Sequence, residues 1–454
     1  MSSHSSTENS AAKPKAENSP RSDGEHGFIK LPFSATDMIE NPICDAAKPR
    51  ADRLRDRLAR GLHFSEHGKS PTTVRQSIAV SIRRALLSDY PRIAAFIREA
   101  YEESAPFKER ERWEWQFVNN PYLGSEDGRV PVWIAEVPGK VVGQIAVQAG
   151  AIEIDGVTHP AGWIVDVMIL PAYRGLGLGH RLYTAVAAEC PILVTLTMAE
   201  ATRRMAERLG AVDLGEVKLY SRLIHLDGRT VQRYLQTRTT YHPRIRMAAN
   251  MLCRYFFIHR ILAGAGNILL SLRNTLVGRP WARNGTHVIP TDRFGPEIDL
   301  LWQRVQADFP VAFTREGKFL NWRFCECPQM RYRLFTAFRD GKTVGYMVLR
   351  ESEPVELPHG IIVDLVAARQ DRSTVEDLVA FALEFFGERV AGVDCATSIP
   401  EFGDILRRFG FQSIRTERPN CVTADPAVQE RLEKSSTDWL FSKADHDWDQ
   451  IHVG

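Results

Sequence analysis

The sequence has no cysteine framework: seven cysteines are scattered at 44, 190, 253, 325, 327, 395 and 421 of 454 residues. That excludes a disulfide-held scaffold and makes reduced thiols the expectation. Cys325 and Cys327 lie too close together, without a neighbouring His or further Cys, to hold a metal, so none is expected. The polar N-terminal stretch up to about Gly27 lacks an apolar core of signal-peptide length, and a cytoplasmic location is the expectation. The most apolar stretch, near Phe256, is interrupted by His259 and Arg260, which excludes a bilayer-spanning helix. A formal net charge of +2 selects no class of partner. Acidic residues, however, are missing altogether between Gly228 and Thr291, where arginine occurs at 229, 233, 238, 244, 246, 254, 260, 273, 279 and 283.

What is present is ordinary globular material, 44% hydrophobic and 25% charged, in a chain long enough for two units and their connections. Residues 1–75 are polar and irregular, with one charged helical stretch from Asp52 to Leu62. From Ser77 the residues alternate as in a strand, and Ser88-Asp89-Tyr90-Pro91 then reads as a helix N-cap. Strands are predicted at Val132–Val137, Val141–Gln148 and Gly162–Leu170, a helix from Gly177 to Cys190, a strand at Ile192–Thr197, a helix at Ala199–Leu209 and a closing strand beyond Ala211. That order predicts an α/β or α+β sheet domain over 76–226.

The pattern then repeats. Trp115, Phe117 and Pro121 recur as Trp322, Phe324 and Pro328; Gly139 to Gly143 as Gly341 to Gly345; Ile164 to Val167 as Ile362 to Leu365; and Arg208-Leu209-Gly210 as Arg408-Phe409-Gly410. The shifts are 207, 202, 198 and 200 residues, in the same order, so a duplicated domain is expected over 291–425. Residues 227–290 read as a basic amphipathic helical connector and 426–454 as a C-terminal tail.

After the strand that ends at Leu170 comes Pro171-Ala172-Tyr173-Arg174-Gly175-Leu176-Gly177-Leu178-Gly179-His180. Glycines at 175, 177 and 179 would let backbone approach a ligand, and the helix start that follows offers unpaired N–H groups to an anion. The competing reading is a plain glycine-rich turn. A dinucleotide fingerprint would open a βαβ unit, whereas several strands precede this turn. A P-loop would need Gly-Lys-Ser/Thr, where this chain has Gly179-His180-Arg181.

Arg174, Gly177 and Gly179, placed directly after a strand, resemble the phosphate-binding motif of the GNAT (Gcn5-related N-acetyltransferase) superfamily, and the resemblance extends from Ser77 to about Leu226. It implies two tandem GNAT-like mixed-sheet domains joined by the connector, with acetyl-CoA as acyl donor and cofactor. Val167, Met168 and Ile169 should then line the pantetheine arm, and Arg174, Gly175, Leu176, Gly177, Leu178, Gly179 and His180 should hold the pyrophosphate. Asp166, in an apolar strand beside the implied thioester, is the candidate base or acceptor-binding carboxylate, with local pairing as the alternative. The tyrosine that many members use to protonate the leaving thiolate corresponds to Ala206, so Tyr220 is the substitute candidate. In the second unit Arg369 to Thr374 lacks both motif glycines and carries Asp371, which implies a degenerate copy.

The expected function is acyl transfer to an amine of a small or lipid-linked acceptor, as in envelope or exopolysaccharide metabolism. The alternatives are a transferase like mycothiol synthase or the Fem-type enzymes, and a non-catalytic acyl-CoA-binding regulator or membrane-associated scaffold. The basic stretch 243–279 suits peripheral contact at the inner face of a membrane, or else inter-domain helices whose arginines face acidic patches. No nucleic-acid-binding motif is present, and no nucleic-acid partner is expected.

Overall fold

The computed structural model of the chain describes residues 79–124, 127–196, 200–228, 258–276, 285–352, 359–434 and 439–450. The charged stretch Asp52–Leu62 and most of the connector, 229–257 and 277–284, lie outside the described residues.

In the first half the order is β1 (Ser81–Leu86), α1 (Tyr90–Tyr101), α2 (Arg110–Phe117), β2 (Arg129–Val137), β3 (Lys140–Ile154), β4 (Val157–Ile169), α3 (Leu178–Glu189), β5 (Ile192–Thr195), α4 (Glu200–Arg208), β6 (Val212–Asp213) and β7 (Val217–Leu223). Helix α5 (Ile258–Leu276) follows. The second half begins with β8 (His287–Thr291), α6 (Pro296–Val305), the short β9 (Val311–Phe313), α7 (Gly317–Phe324), β10 (Arg333–Arg339), β11 (Lys342–Glu351) and β12 (His359–Ala367). It ends with α8 (Arg372–Phe386), β13 (Gly392–Thr397), α9 (Pro400–Arg408), β14 (Gln412–Glu417), β15 (Asn420–Thr423), α10 (Pro426–Lys434) and β16 (Trp439–Leu440). Apart from β9 and the elements after β15, the two halves run through the same sequence of strands and helices.

Two local expectations change. The β3–β4 hairpin is longer than the alternation indicates, because Asp155 and Gly156 both adopt left-handed backbone, at φ 49° and 79°, and close a two-residue turn. Asp89 does not cap α1 with its side chain; its carboxylate accepts from the Leu86 amide at 2.9 Å and from Arg83.

The sheets are interlocked. β7 leaves the first half and pairs antiparallel with β13 and β14, so that Tyr220 lies opposite both Cys395 and Ser413. β15 travels the other way and enters between β5 and β6, with Cys421 opposite Val194 and Val212. β9 adds to the free edge of β3, Phe313 opposite Ile152. Boundaries at 226 and 291 therefore separate segments that complete each other's sheets. Between the halves Trp115 and Trp322 stack at 4.6 Å, and each indole N–H donates to the other's backbone carbonyl, at 2.9 and 3.1 Å. Reciprocal contacts between equivalent residues are the mark of a two-fold interface, here within one chain.

Within the segment expected to be a tail, residues 439–450 are packed interior, because they carry the counter-charges of buried arginines. Arg315, with no solvent-accessible side chain, lies 3.1 Å from Asp364 and 2.5 Å from Asp445. Arg323, also fully buried, lies 2.5 Å from Asp449 and donates to the hydroxyl of Tyr332 at 2.9 Å. A buried guanidinium left without its carboxylate costs far more than a surface pair is worth.

Asp449→Asn should therefore lower unfolding free energy by about 3–5 kcal/mol, measured by denaturant titration, because Arg323 stays buried without its anion. Acid should act at another point. Hydrogen bonds from Arg83 hold the Asp89 carboxyl below its ordinary value of 3.8, against the opposing effect of burial. A folded value below the unfolded one contributes stability that is complete above the unfolded value and lost as pH falls through the folded one. In Arg83→Met the fall in stability below about pH 4 should be shallower than in the parent chain, read from unfolding midpoints across that window.

Candidate functional site

β4 and β5 run parallel but pair only at Gly162 with Leu193 and Trp163 with Val194. Beyond Trp163 the strands part, and among the described residues no strand covers that edge of β4 from Val165 to Ile169. Within this stretch the register against β3 slips, Gln144 facing Met168 but Ala146 facing Val165, so Asp166 and Val167 form a bulge. Asp166 adopts φ 54°, a conformation that non-glycine residues avoid. Opening of the sheet shows in burial: Asp166, Val167, Met168 and Ile169 are half-buried, whereas Asp364 to Ala367 at the same place in β12 are buried.

A single helical turn at Pro171–Tyr173 then leads to the glycines. Gly175 and Gly177 take φ 82° and 73°, and no atom lies within 4 Å of where a Cβ would stand at either. Gly177 begins α3, and among the described residues the amides of Gly175 through His180 meet no acceptor. Leu178 is buried and anchors the helix; Leu176 and His180 are exposed. Arg174 Nε donates to the Ile169 carbonyl at 3.1 Å, tying the turn to the strand end. Gly179 has a different task, because a Cβ there would stand 2.9 Å from Met205 Sδ, so its absence lets α3 approach α4. The turn is thus a solvent-facing cradle of free amides at the positive end of a twelve-residue helix, suited to a phosphate ester.

At the other end of the bulge Asp166 meets groups from the end of α1 and the segment after it. Its carboxylate pairs with the Lys108 ammonium and accepts from the Tyr101 hydroxyl at 3.4 Å. Burial, then the nearby Asp166 charge, pushes the Tyr101 hydroxyl well above its usual range, so it stays a donor. From the C-terminal segment, His446 Nε2 lies 3.1 Å from the Ile164 carbonyl, and its Nδ1 lies 2.7 Å from Asp447. Burial works against the charge on both, yet their pairing holds the imidazole up and the carboxyl down.

The second half fills the corresponding places from within. Asp371 caps α8, accepting from the Thr374 amide at 3.1 Å, from Ser373 and Thr374 hydroxyls at 2.7 Å each, and from Arg339 at 3.1 Å. Asp364 is enclosed by Arg315, Tyr346 and Ser442, leaving a cavity of about 20 Å³ lined by Val363, Cys395 and Phe441 among others. Its helix start already holds an anion, which is the Asp371 side chain.

Of the residues singled out from the sequence, the structure brings Asp166, Val167, Met168, Ile169 and the run Arg174 to His180 along one opening. It does not bring Tyr220 there: that side chain is buried in the second core, its hydroxyl 3.1 Å from Arg407, because β7 has crossed over. Ala206 is buried as well. Lys108, Tyr101, His446 and Asp447 were not legible as site residues. Lys108 sits in a charged run that reads as a solvated face, and nothing local marks His446 as interior.

Residues 81–210 match the family model of the acetyltransferase (GNAT) domain. No curated protein matches the chain. Among solved structures it is similar to a GCN5-related N-acetyltransferase from Anabaena variabilis, at 13% identity and TM-score 0.49, over 76% of this chain and 73% of that one. It is also similar to N-myristoyltransferase from Saccharomyces cerevisiae with bound myristoyl-CoA, at 10% identity and TM-score 0.45, over 79% and 83%. A GCN5-related N-acetyltransferase from Kribbella flavida gives 12% identity and TM-score 0.45, over 76% and 70%.

The cradle makes a direct prediction. Gly177→Leu should cost about 1–2 kcal/mol of stability, since left-handed backbone disfavours a side chain that otherwise has open space. The same change should abolish CoA binding by calorimetry while the unfolding transition stays cooperative.

Proposed function

We propose that this chain is an acyl-CoA-dependent N-acyltransferase, with its donor site in the first half and its acceptor bound beside Asp166. The observation that carries the reading is the open edge of β4 ending at a turn of unpartnered amides, within the segment that matches the acetyltransferase domain model. Bound acyl-CoA, with acetyl-CoA as the donor we propose, supplies a thioester open to attack by an amine; as the amide bond forms the acyl C–S bond breaks and CoA leaves as its thiolate. Amides of Gly175 to His180 would hold the pyrophosphate, and the uncovered edge of β4 at Val167 would orient the pantetheine arm.

Asp166 then acts on the acceptor. Its carboxylate is already matched to an ammonium, since Lys108 occupies it in the structure. An incoming substrate ammonium displaces Lys108, and Asp166 Oδ1 takes its proton, with the Tyr101 hydroxyl holding the carboxylate in place. The second half, with Asp371 and Asp364 tied to internal partners, is proposed as a degenerate copy that shapes the acceptor side and binds no donor. A small or lipid-linked amine is the acceptor class we propose, at the cytoplasmic side of a membrane.

One observation favours a second reading, a regulator that binds acyl-CoA without turnover: Lys108 neutralises the only carboxylate found on the bulge. The same experiment separates the two. Product analysis by mass spectrometry with acetyl-CoA and a panel of amines should show acylated amine, and Asp166→Asn should slow its formation about 100-fold or more with CoA affinity unchanged. Tight CoA binding with no product from any amine would establish the regulator instead.

A further inference from the structure

Helix α5 is turned the wrong way round for a soluble surface. Toward the body of the protein it presents small or polar residues. Ala263 is buried, Asn267 exchanges two 2.8 Å hydrogen bonds with the backbone of Leu226, and a Cβ at Gly266 would stand 2.6 Å from the Leu226 side chain. Among the residues whose side chains are described, Leu270 is the large aliphatic on this inward face.

The outward face carries the rest. Ile261, Ile268 and Leu272 are 66%, 64% and 56% exposed, with Leu262 and Leu269 beside them at 37% and 46%. Positions 261, 265, 268 and 272 follow the helical repeat, so these aliphatics form one continuous stripe, not scattered surface residues. A contiguous exposed apolar stripe marks a surface that something covers.

Charge says what covers it. Residues 229–290, which contain the helix, have ten arginines and no lysine, aspartate or glutamate. An apolar stripe in a purely cationic segment is complementary to a surface that is apolar within and anionic at its rim, which is a bilayer containing acidic lipids. A spanning role does not fit: no helix among the described residues is long and apolar enough to cross a membrane.

We infer that α5 lies in the plane of an anionic membrane surface, its Ile261–Ile268–Leu272 stripe inserted among the acyl chains, with the net positive charge of the sequence around it supplying the attraction to acidic headgroups. This goes beyond the acyl-transfer reading and stands whether or not that chemistry is right, because CoA binding is measured without lipid.

The test is flotation of the full chain with vesicles of phosphatidylcholine containing about 30% phosphatidylglycerol, against phosphatidylcholine alone. The chain should float with the acidic vesicles, less so as salt rises above about 0.1 M. The triple variant Ile261→Asp/Ile268→Asp/Leu272→Asp should lose about tenfold or more of this partitioning, with unfolding midpoint and calorimetric CoA affinity unchanged. As a second measurement, Ile268→Trp should show blue-shifted emission on acidic vesicles and quenching by shallow brominated lipid. Failure of the parent chain to float, equal flotation of the triple variant, or no blue shift each overturns the inference. So does concentration-dependent self-association that the same substitutions abolish, which would make a second copy of the chain the cover.

Discussion

Neither half of this protein can close its own sheet, and that constraint governs everything else. β5 and β6 are held by a strand made some two hundred residues later, while β13 and β14 are held by β7 from the first half. Both exchanged strands pair on two sides, so withdrawal of either would expose two edges and split a sheet. The paired tryptophans lock the same relation at its centre. Folding of the first half therefore awaits synthesis of β15, and contacts of such sequence separation favour slow, cooperative assembly.

Within that shared frame, the halves diverge through where charge is buried. Both have an aspartate at one place on the fourth strand of the repeat and a helix starting after it. Asp364 is enclosed by Arg315, Tyr346 and Ser442, and the helix start is capped by Asp371. Asp166 instead sits in a bulge with partial exposure, and its helix starts at a glycine without a capping side chain. A carboxylate at the helix start would repel a pyrophosphate and use up its donors, while glycine leaves both field and donors available. Two halves with the same order of elements thus give one closed core and one opening.

Much of this was legible in the sequence because it depends on short-range rules. The repeat anchors, the helix after Gly177 and the strand carrying Asp166 follow from periodicity and glycine placement. What escaped depends on pairing over long distances. Nothing in Val217–Leu223 says which sheet it joins, so Tyr220 reads as a residue of the first site although its strand completes the other sheet. The C-terminal segment reads as a tail for the opposite reason: nothing local in it shows that Lys443, Asp445, His446, Asp447 and Asp449 are partners or neighbours of charge that the fold buries elsewhere. The Asp155-Gly156 turn is different, since its signal was local.

Placement of the C-terminal segment links assembly to the site. His446 meets the Ile164 carbonyl just before β4 becomes free, and the adjacent Asp447 feels Lys108 and Arg112 as well as the imidazole. Lys108 therefore faces two carboxylates, Asp166 on the bulge and Asp447 on the segment that completes the second core. In the proposed reaction, an acceptor ammonium that displaced Lys108 from Asp166 would leave that lysine with a second anion nearby, lowering the cost of the displacement relative to pushing it into water. The opening at β4 is thus poised by a residue group that exists only once the two halves have interlocked. In the acyl-transfer reading proposed above, the acceptor side would be a product of the whole chain, while the donor side would lie within residues 81–210, the part that matches the acetyltransferase domain model.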